Sequence, residues 1–199
     1  MVVGAVALAS AVGCSGGGGD DPAAAPSAPS APPAATSAPT PTATPTPRLP
    51  AGCEGLLPFT ELDQALGRPL FGRTKAIVGQ AQPNIGRTGR LTCHYGLPDN
   101  GKGAPPVEVG VSTYLDPKSA EDRVTATVAA LRAGGGASSQ TSVTVAGLPA
   151  IVIGNRSSFT AVLAKQDRTV VVTVQRAVRG QPDKAATRIA EKVLANWPD

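Results

Sequence analysis

Few residues could carry chemistry, because 199 residues contain only three cysteines and one histidine. A serine or cysteine nucleophile needs a base, and His94 is the only histidine. It follows Cys93 in an alternating stretch, where a surface position or a polar contact is a commoner role than catalysis. The sequence has no G-x-S-x-G motif, no carboxylates paired in an apolar setting and no phosphate loop. It therefore predicts no catalytic residue, no cofactor and no metal site.

Cys14 ends an uncharged apolar run of thirteen residues. Such a run is too short to span a membrane, which takes about 20 residues. The small residues Ala11, Val12 and Gly13 before the cysteine resemble a bacterial lipobox, although Ala11 replaces the usual leucine. The resemblance implies cleavage between Gly13 and Cys14 and a diacylglyceryl group on the Cys14 thiol. A buried free cysteine is the alternative, but the following residues offer no core to bury it.

The chain divides by composition into three parts. Residues 1–13 are the predicted lipoprotein signal peptide. Because they lack Lys and Arg, either the true start lies upstream, which we favour, or the signal is atypical. Residues 14–50 are the lipidated cysteine and a disordered tether rich in Pro, Ala, Ser and Thr, with ten prolines. Residues 51–199 are the globular domain, which contains all six aromatic residues. These parts predict a protein anchored by lipid to the extracytoplasmic face of the cell membrane.

Cys53 and Cys93 remain as a pair once Cys14 is acylated. Export would place them where disulfides persist, so we expect a structural disulfide. A metal site would need more ligands at this spacing, and a redox pair would more often be C-x-x-C. Both alternatives are weaker than a disulfide.

Five basic residues and no acidic one lie between Asp63 and Asp99. These residues are Arg68, Arg73, Lys75, Arg87 and Arg90. They form a possible patch for an anionic partner such as lipid headgroups or wall polymers. A solvated basic loop is the simpler interpretation. The sequence lacks the motifs of nucleic-acid-binding proteins, so nucleic acid is not an expected partner.

Periodicity and capping residues predict three helices, over 59–67, 116–136 and 182–197, with Thr60 and Asp116 as the caps of the first two. Alternation and turn residues predict a short strand near 76–78 and an irregular loop over 79–90. Strands are also predicted at 90–97, 107–115, 141–147, 149–155, 158–166 and 168–176. The strand at 168–176 is apolar on both faces at most positions and is expected at the centre of the sheet. The fold class is therefore α+β, an antiparallel sheet packed by about three helices.

Several segments together resemble a known family. They are C-x-x-L-L from Cys53, ELDQALG from Glu61, C-H-Y from Cys93, VEVGVSTY from Val107, V-A-G-L-P-A from Val145 and VLANWP from Val193. This set is similar to an actinobacterial lipoprotein family of unknown function, whose fold resembles PsbP-like domains. The resemblance implies a PsbP-like α+β sandwich in a secreted, lipid-anchored protein and carries no assigned reaction.

Two classes of function follow from these observations. The first is a non-catalytic binding or accessory domain, monomeric and anchored to the membrane, whose partner is an envelope protein, a wall polymer or a lipid. The second is an envelope hydrolase with an unrecognised site. A carrier of lipid or of a small apolar ligand is a further variant, and it would need a sizeable apolar pocket.

Overall fold

A computed structural model describes residues 48–134 and 136–197. They form an antiparallel sheet with helices on both faces. The helices are α1 (Cys53–Leu56), α2 (Phe59–Leu66), α3 (Pro117–Gly134) and α4 (Pro182–Asn196). The strands are β1 (Arg73–Gly79), β2 (Arg87–Leu97), β3 (Val107–Tyr114), β4 (Ser139–Val145), β5 (Leu148–Gly154), β6 (Ser158–Lys165) and β7 (Arg168–Gln175). The predicted α+β class is confirmed, with the one-turn helix α1 in addition to the three predicted helices.

The sheet has seven strands in the order β1-β2-β3-β7-β6-β5-β4. Every neighbouring pair is antiparallel. Strand β7 is the fourth of the seven, as its two-sided apolar pattern predicts. The strands β4 to β7 follow one another as the predicted meander.

The two faces of the sheet are covered differently. Helix α4 packs on one face, together with α1 and α2, over the main hydrophobic core. Its buried stripe includes Ile189, Val193 and Leu194, at the helical spacing predicted from the sequence. Helix α3 packs on the other face through a smaller cluster centred on Val128 and Val162. Because α3 packs mainly on β3, β5, β6 and β7, it leaves most of the β1 and β2 side of this face open.

Two predicted helix caps have different outcomes. Asp116 caps α3, because its carboxylate accepts hydrogen bonds from the Ser119 backbone N–H and hydroxyl, both at 2.8 Å. The prediction for Thr60 is wrong, because α2 begins at Phe59 and its N-cap position is Pro58. Asp63 instead accepts a bond from the Leu70 backbone N–H at 2.8 Å, which ties the chain after α2 back to the helix.

The disulfide Cys53–Cys93 joins the start of the domain to β2. Tyr95 lies two residues along the same strand, and its buried hydroxyl is 3.1 Å from the carbonyl oxygens of both Cys53 and Leu57. Burial raises the pKa of this phenol, because the ionised form would lose its hydration. The covalent link and the hydrogen bonds together attach α1 to the sheet.

The segment predicted to be a signal peptide, with Gly13 and Cys14, lies outside the described residues, as does nearly all of the predicted tether. Leu49 packs against the main core, and the Arg48 carbonyl accepts a bond from the Trp197 indole N–H at 3.0 Å. In the part of the chain that the structure describes, no helix is long and apolar enough to cross a bilayer.

Candidate functional site

A small recess lies between the open part of the sheet and α3. Its volume is about 80 Å³. Three arginines, three small hydroxyl residues and a tyrosine line it, together with one glycine and one valine: Arg87, Arg90, Arg123, Ser112, Thr127, Thr169, Tyr114, Gly110 and Val171. We call it the arginine recess.

A β-bulge in β2 brings two of the arginines to the same face of the sheet. Arg87 and Arg90 are three residues apart, and regular alternation would place their side chains on opposite faces. The register shifts by one residue between Arg87 and Gly89, so that Arg87 pairs with Tyr114 and Arg90 pairs with Ser112. Tyr114 and Ser112 are two residues apart in β3 and therefore share a face with each other and with their partners. Bulges often re-aim side chains in this way near functional sites.

A tight turn replaces the irregular loop predicted before β2. Residues Pro83–Ile85 form a 3₁₀ turn that ends at Gly86, whose φ of 66° lies in the left-handed region. The backbones of Gln82 and Arg87 close the turn through hydrogen bonds of 2.8 and 3.1 Å. The Gly86 carbonyl also accepts a bond of 2.9 Å from the Leu115 N–H, just before α3. The start of β2 and the start of α3 are thus held together.

Helix α3 supplies the third arginine. Its apolar stripe, which includes Val124 and Val128, faces the sheet. Arg123 and Thr127 each precede a stripe residue and are one helical turn apart, so they lie on the border of the buried face. The cap at Asp116 sets where the helix begins and hence which residues reach this border. Arg123 and Thr127 therefore form the helical wall of the recess.

Arg87 lies at the base of the recess with only 7% of its surface exposed. Its Nη2 donates a long hydrogen bond of 3.3 Å to the Gln80 carbonyl. Its Nε is buried and has no hydrogen-bond partner within residues 48–134 and 136–197. Burial first, and the charge of Arg90 second, lower the pKa of the Arg87 guanidinium. Arginine still stays protonated at neutral pH, so a buried cation with an unused donor lies among the residues that line the recess.

Arg90 lies beside the floor of the recess. Its Nε donates to the Thr92 hydroxyl at 3.1 Å, which orients the guanidinium. Gly110 forms part of the floor, and a Cβ placed there would lie 3.7 Å from Arg90 Nη2. The absence of a side chain at Gly110 therefore leaves room directly beneath the charged group.

The recess is positively charged and rich in donors. Its lining includes no carboxylate, and within the described residues none of Arg87, Arg90 and Arg123 forms an ion pair. The hydroxyls of Ser112, Thr127 and Thr169 likewise have no side-chain partner in that part of the chain. Guanidinium and hydroxyl groups that converge without an acid provide charge-assisted hydrogen bonds to an anion.

The other three residues of the predicted basic patch lie elsewhere. Arg73 pairs with Leu97 at the far end of β2, about 33 Å from Arg87 at the usual rise of a strand. Its Nη1 donates to the Asp99 carbonyl at 3.4 Å. Lys75 is exposed on the edge strand β1. Arg68 borders a different recess. The structure therefore brings together only Arg87 and Arg90 of the five predicted residues.

Arg68 borders an apolar groove on the surface. Leu70, Pro106 and Val178 are among its apolar lining residues, and its volume is about 360 Å³. The groove contains one cation and no titratable cluster, so it offers fewer directed contacts than the arginine recess.

His94 lies in a polar contact between strands, one of the two roles that its position favours. Its Nε2 is 3.2 Å from a carboxylate oxygen of Glu108, the residue opposite it in β3. Both side chains are partly exposed.

Sequence reasoning missed five polar residues of the recess: Ser112, Tyr114, Arg123, Thr127 and Thr169. One pattern could have indicated Arg123 and Thr127, because both border the apolar stripe of a predicted helix at a spacing of four. Ser112 shares its strand face with Gly110, but this alternation does not indicate which residues lie opposite that face. Contact between α3 and this patch depends on the tertiary structure.

Comparisons with known proteins provide no family. No family model matches the chain. No curated protein matches it either. Among solved structures, the chain is similar to the crystal structure of the extracellular domain of PknH from Mycobacterium tuberculosis, with a TM-score of 0.44 and 13% identity over 70% of this chain and 91% of that one. A likeness this weak carries no conclusion about function, and the resemblance to a lipoprotein family stays a prediction.

Proposed function

We propose that this protein is a lipid-anchored, extracytoplasmic binding domain that holds a small anionic group in the arginine recess without transforming it. The arrangement of Arg87, Arg90 and Arg123 around one small recess carries the proposal. Three guanidinium groups without a carboxylate repel one another, and an anion would relieve that repulsion.

Arg87 gives the strongest support for a binding role. Burying a donor without a partner costs about 1–3 kcal/mol, and proteins rarely retain such groups without a reason. The Nε of Arg87 is such a donor, and a bound oxyanion would accept its hydrogen bond. The β-bulge that turns Arg87 towards the recess is a second local irregularity that serves the same arrangement.

The proposed location depends on sequence features and on the disulfide. Cys14 follows small residues and precedes a proline-rich segment, which is the pattern expected of a lipidated cysteine. The disulfide Cys53–Cys93 fits an oxidising compartment outside the cytoplasm. Two acyl chains would anchor such a protein stably.

Binding is favoured over the alternatives of hydrolysis and lipid carriage. The sole histidine contacts Glu108 at 3.2 Å, and the recess lining contains no serine–histidine or cysteine–histidine pair. The apolar groove near Arg68 is the place where an apolar ligand would be tested. Hydrolysis of generic esters, peptides or glycosides that is abolished by His94→Ala would overturn the non-catalytic assignment.

Calorimetric titration of phosphate into the purified full chain, at constant ionic strength in mild detergent, tests the binding site. We expect one site per chain and about 10–100-fold weaker binding in Arg123→Gln, the range for loss of a hydrogen bond to a charged group. Arg132→Gln is the matched control, because Arg132 is exposed on the same helix and does not line the recess. Equal affinity in Arg123→Gln and Arg132→Gln would show that the recess is not the site.

Replacing Cys14 by alanine tests the anchor. The variant should be released from the membrane or remain unprocessed, because no thiol is left to acylate. Full processing together with retention at the membrane would contradict the proposed anchor. A serine variant at Cys53 is a useful comparison, since it removes a different cysteine, one that forms the disulfide, and should leave membrane attachment unchanged.

A further inference from the structure

We infer that the anionic group held by the arginine recess is a terminal phosphate, a phosphate monoester on a larger molecule whose remainder stays outside. This inference rests on the proposed anion-binding function and specifies its ligand. It follows from the number of donors around the recess, the charge they carry and the space between them.

The donors surround the recess from separate elements. Arg87 and Arg90 come from β2, Arg123 from α3 and Thr169 from β7. A guanidinium donates two parallel hydrogen bonds to a pair of oxygens. A carboxylate offers one such pair in a single plane, whereas the three terminal oxygens of a phosphate monoester form three pairs that face different directions. Only the three oxygens of a phosphate monoester can therefore pair with three guanidinium groups that approach from two sides.

The charge of the recess favours a dianion. Three arginines line it and no acidic side chain does so. A phosphate monoester carries a charge of about −1.5 to −2 at neutral pH. A sulfate ester or a single carboxylate carries one charge and would leave more of the repulsion between the guanidinium groups uncompensated.

The size of the recess limits what can enter. Pockets for whole organic ligands usually measure about 300–1,000 Å³, and this recess measures about 80 Å³. It therefore admits a compact group and not a sugar or a nucleoside. Arg87, Ser112 and Thr169 at the base are buried, whereas Arg90, Arg123 and Thr127 are partly exposed. Access from the partly exposed side leaves room for an ester substituent to extend into solvent.

A panel of four anions tests the inference with the full chain at pH 8 and constant ionic strength. Methyl phosphate is the probe for a terminal phosphate, and inorganic phosphate is the free ion. Methyl sulfate has the same tetrahedral shape with one charge, and malonate has two charges on planar carboxylates. We expect methyl phosphate and inorganic phosphate to bind within about threefold of each other. Both should bind at least tenfold more tightly than methyl sulfate and malonate, and Arg123→Gln should remove the preference.

Three other outcomes would each contradict at least part of the proposal. If malonate binds as tightly as methyl phosphate and Arg123→Gln weakens both, the anion site stands and the phosphate assignment is wrong. If inorganic phosphate binds at least tenfold more tightly than methyl phosphate, the ligand is the free ion and not an ester. If none of the four binds, both the ligand and the proposed anion-binding function are wrong.

Gly110→Ala provides a second variant that keeps every charge. The added Cβ would make only ordinary contacts, 3.7 Å from Arg90 Nη2 and 3.8 Å from the Val171 carbonyl, so the strand should fold. It narrows the floor of the recess and should weaken methyl phosphate binding about tenfold. Unchanged binding in a folded Gly110→Ala protein would place the phosphate outside the recess.

Discussion

Replacing Arg87 by methionine should raise the melting temperature of the anion-free protein and abolish its stabilisation by phosphate. Methionine retains most of the apolar length of the side chain and removes its charge. The change eliminates the unpaired Nε and the repulsion from Arg90. Replacing a poorly paired buried ion by an apolar side chain of similar volume is often neutral or stabilising.

The size of the effect follows from the contacts of Arg87. Removing an unsatisfied buried donor gains about 1–3 kcal/mol. Losing the hydrogen bond of 3.3 Å to the Gln80 carbonyl gives back about 0.5–1 kcal/mol. A net gain of about 1 kcal/mol corresponds to an increase of about 2–4 °C for a domain of this size. At a phosphate concentration of 100 times Kd, phosphate binding should raise the free energy of unfolding of the wild-type protein by about 2.7 kcal/mol and leave that of Arg87→Met unchanged.

Thermal unfolding followed by circular dichroism, with and without phosphate, measures both effects. Without phosphate or sulfate in the buffer, Arg87→Met should melt above the wild type, and with saturating phosphate the order should reverse. Arg132→Met is the matched control and should show neither change. A strong loss of stability in Arg87→Met without phosphate, together with an undiminished response to phosphate, would exclude a role of Arg87 in anion binding. It would mean that Arg87 is a structural residue.

Three further predictions concern the scaffold. Reducing the disulfide, or replacing both Cys53 and Cys93 by alanine, should lower the free energy of unfolding by about 4 kcal/mol, the chain-entropy value for a separation of 40 residues. A urea-unfolding midpoint equal to that of the wild type would contradict this prediction. Because the pKa of Tyr95 is raised in the folded protein, its contribution to the free energy of unfolding is fully present below pH 10, the pKa of an unfolded tyrosine, and is lost as the pH rises above it. The free energy of unfolding in urea should therefore fall less between pH 8 and pH 11 in Tyr95→Phe than in the wild type. Hydrogen bonds from Ser119 lower the pKa of Asp116, so the stability that this cap contributes is present above about pH 4 and is lost as the pH falls further. Asp116→Ala should therefore lower the melting temperature at pH 7 and make the melting temperature depend less on pH in the acid range. An unchanged acid dependence in Asp116→Ala would exclude the cap as the source of that dependence.

The fold could be predicted because its strongest patterns are local. The stripe of α4 repeats at helical spacing and is buried as expected, with Ile189 and Val193 fully enclosed. The two-sided apolar pattern of β7 reflects cover by α3 and α4, so it indicates a central strand. The assignment of Thr60 as the cap of α2 is wrong because Pro58 occupies the N-cap position. Thr60 is a good capping residue by type, but the chain is already helical there.

The candidate site could be predicted only in part. Arg87 and Arg90 were singled out because no acid lies near them in the sequence, but the same criterion included Arg73, which lies at the other end of β2. The bulge that brings Arg87 to the recess has no obvious sequence pattern, since it contradicts the alternation on which strand prediction depends. Arg123 joins the site through the packing of α3 on the sheet, 33 positions along the chain from Arg90, and such a contact cannot be derived from local periodicity.

An anomalous difference map from crystals of the protein soaked in arsenate, a tetrahedral oxyanion of the phosphate type, would show directly whether the arginine recess holds an anion. We expect a peak inside the recess between Arg87, Arg90 and Arg123. An arsenate oxygen should lie about 2.7–2.9 Å from Arg87 Nε, the distance of a charge-assisted hydrogen bond. Arsenate bound at other positions, with none in the recess, would show that the recess is not an anion site.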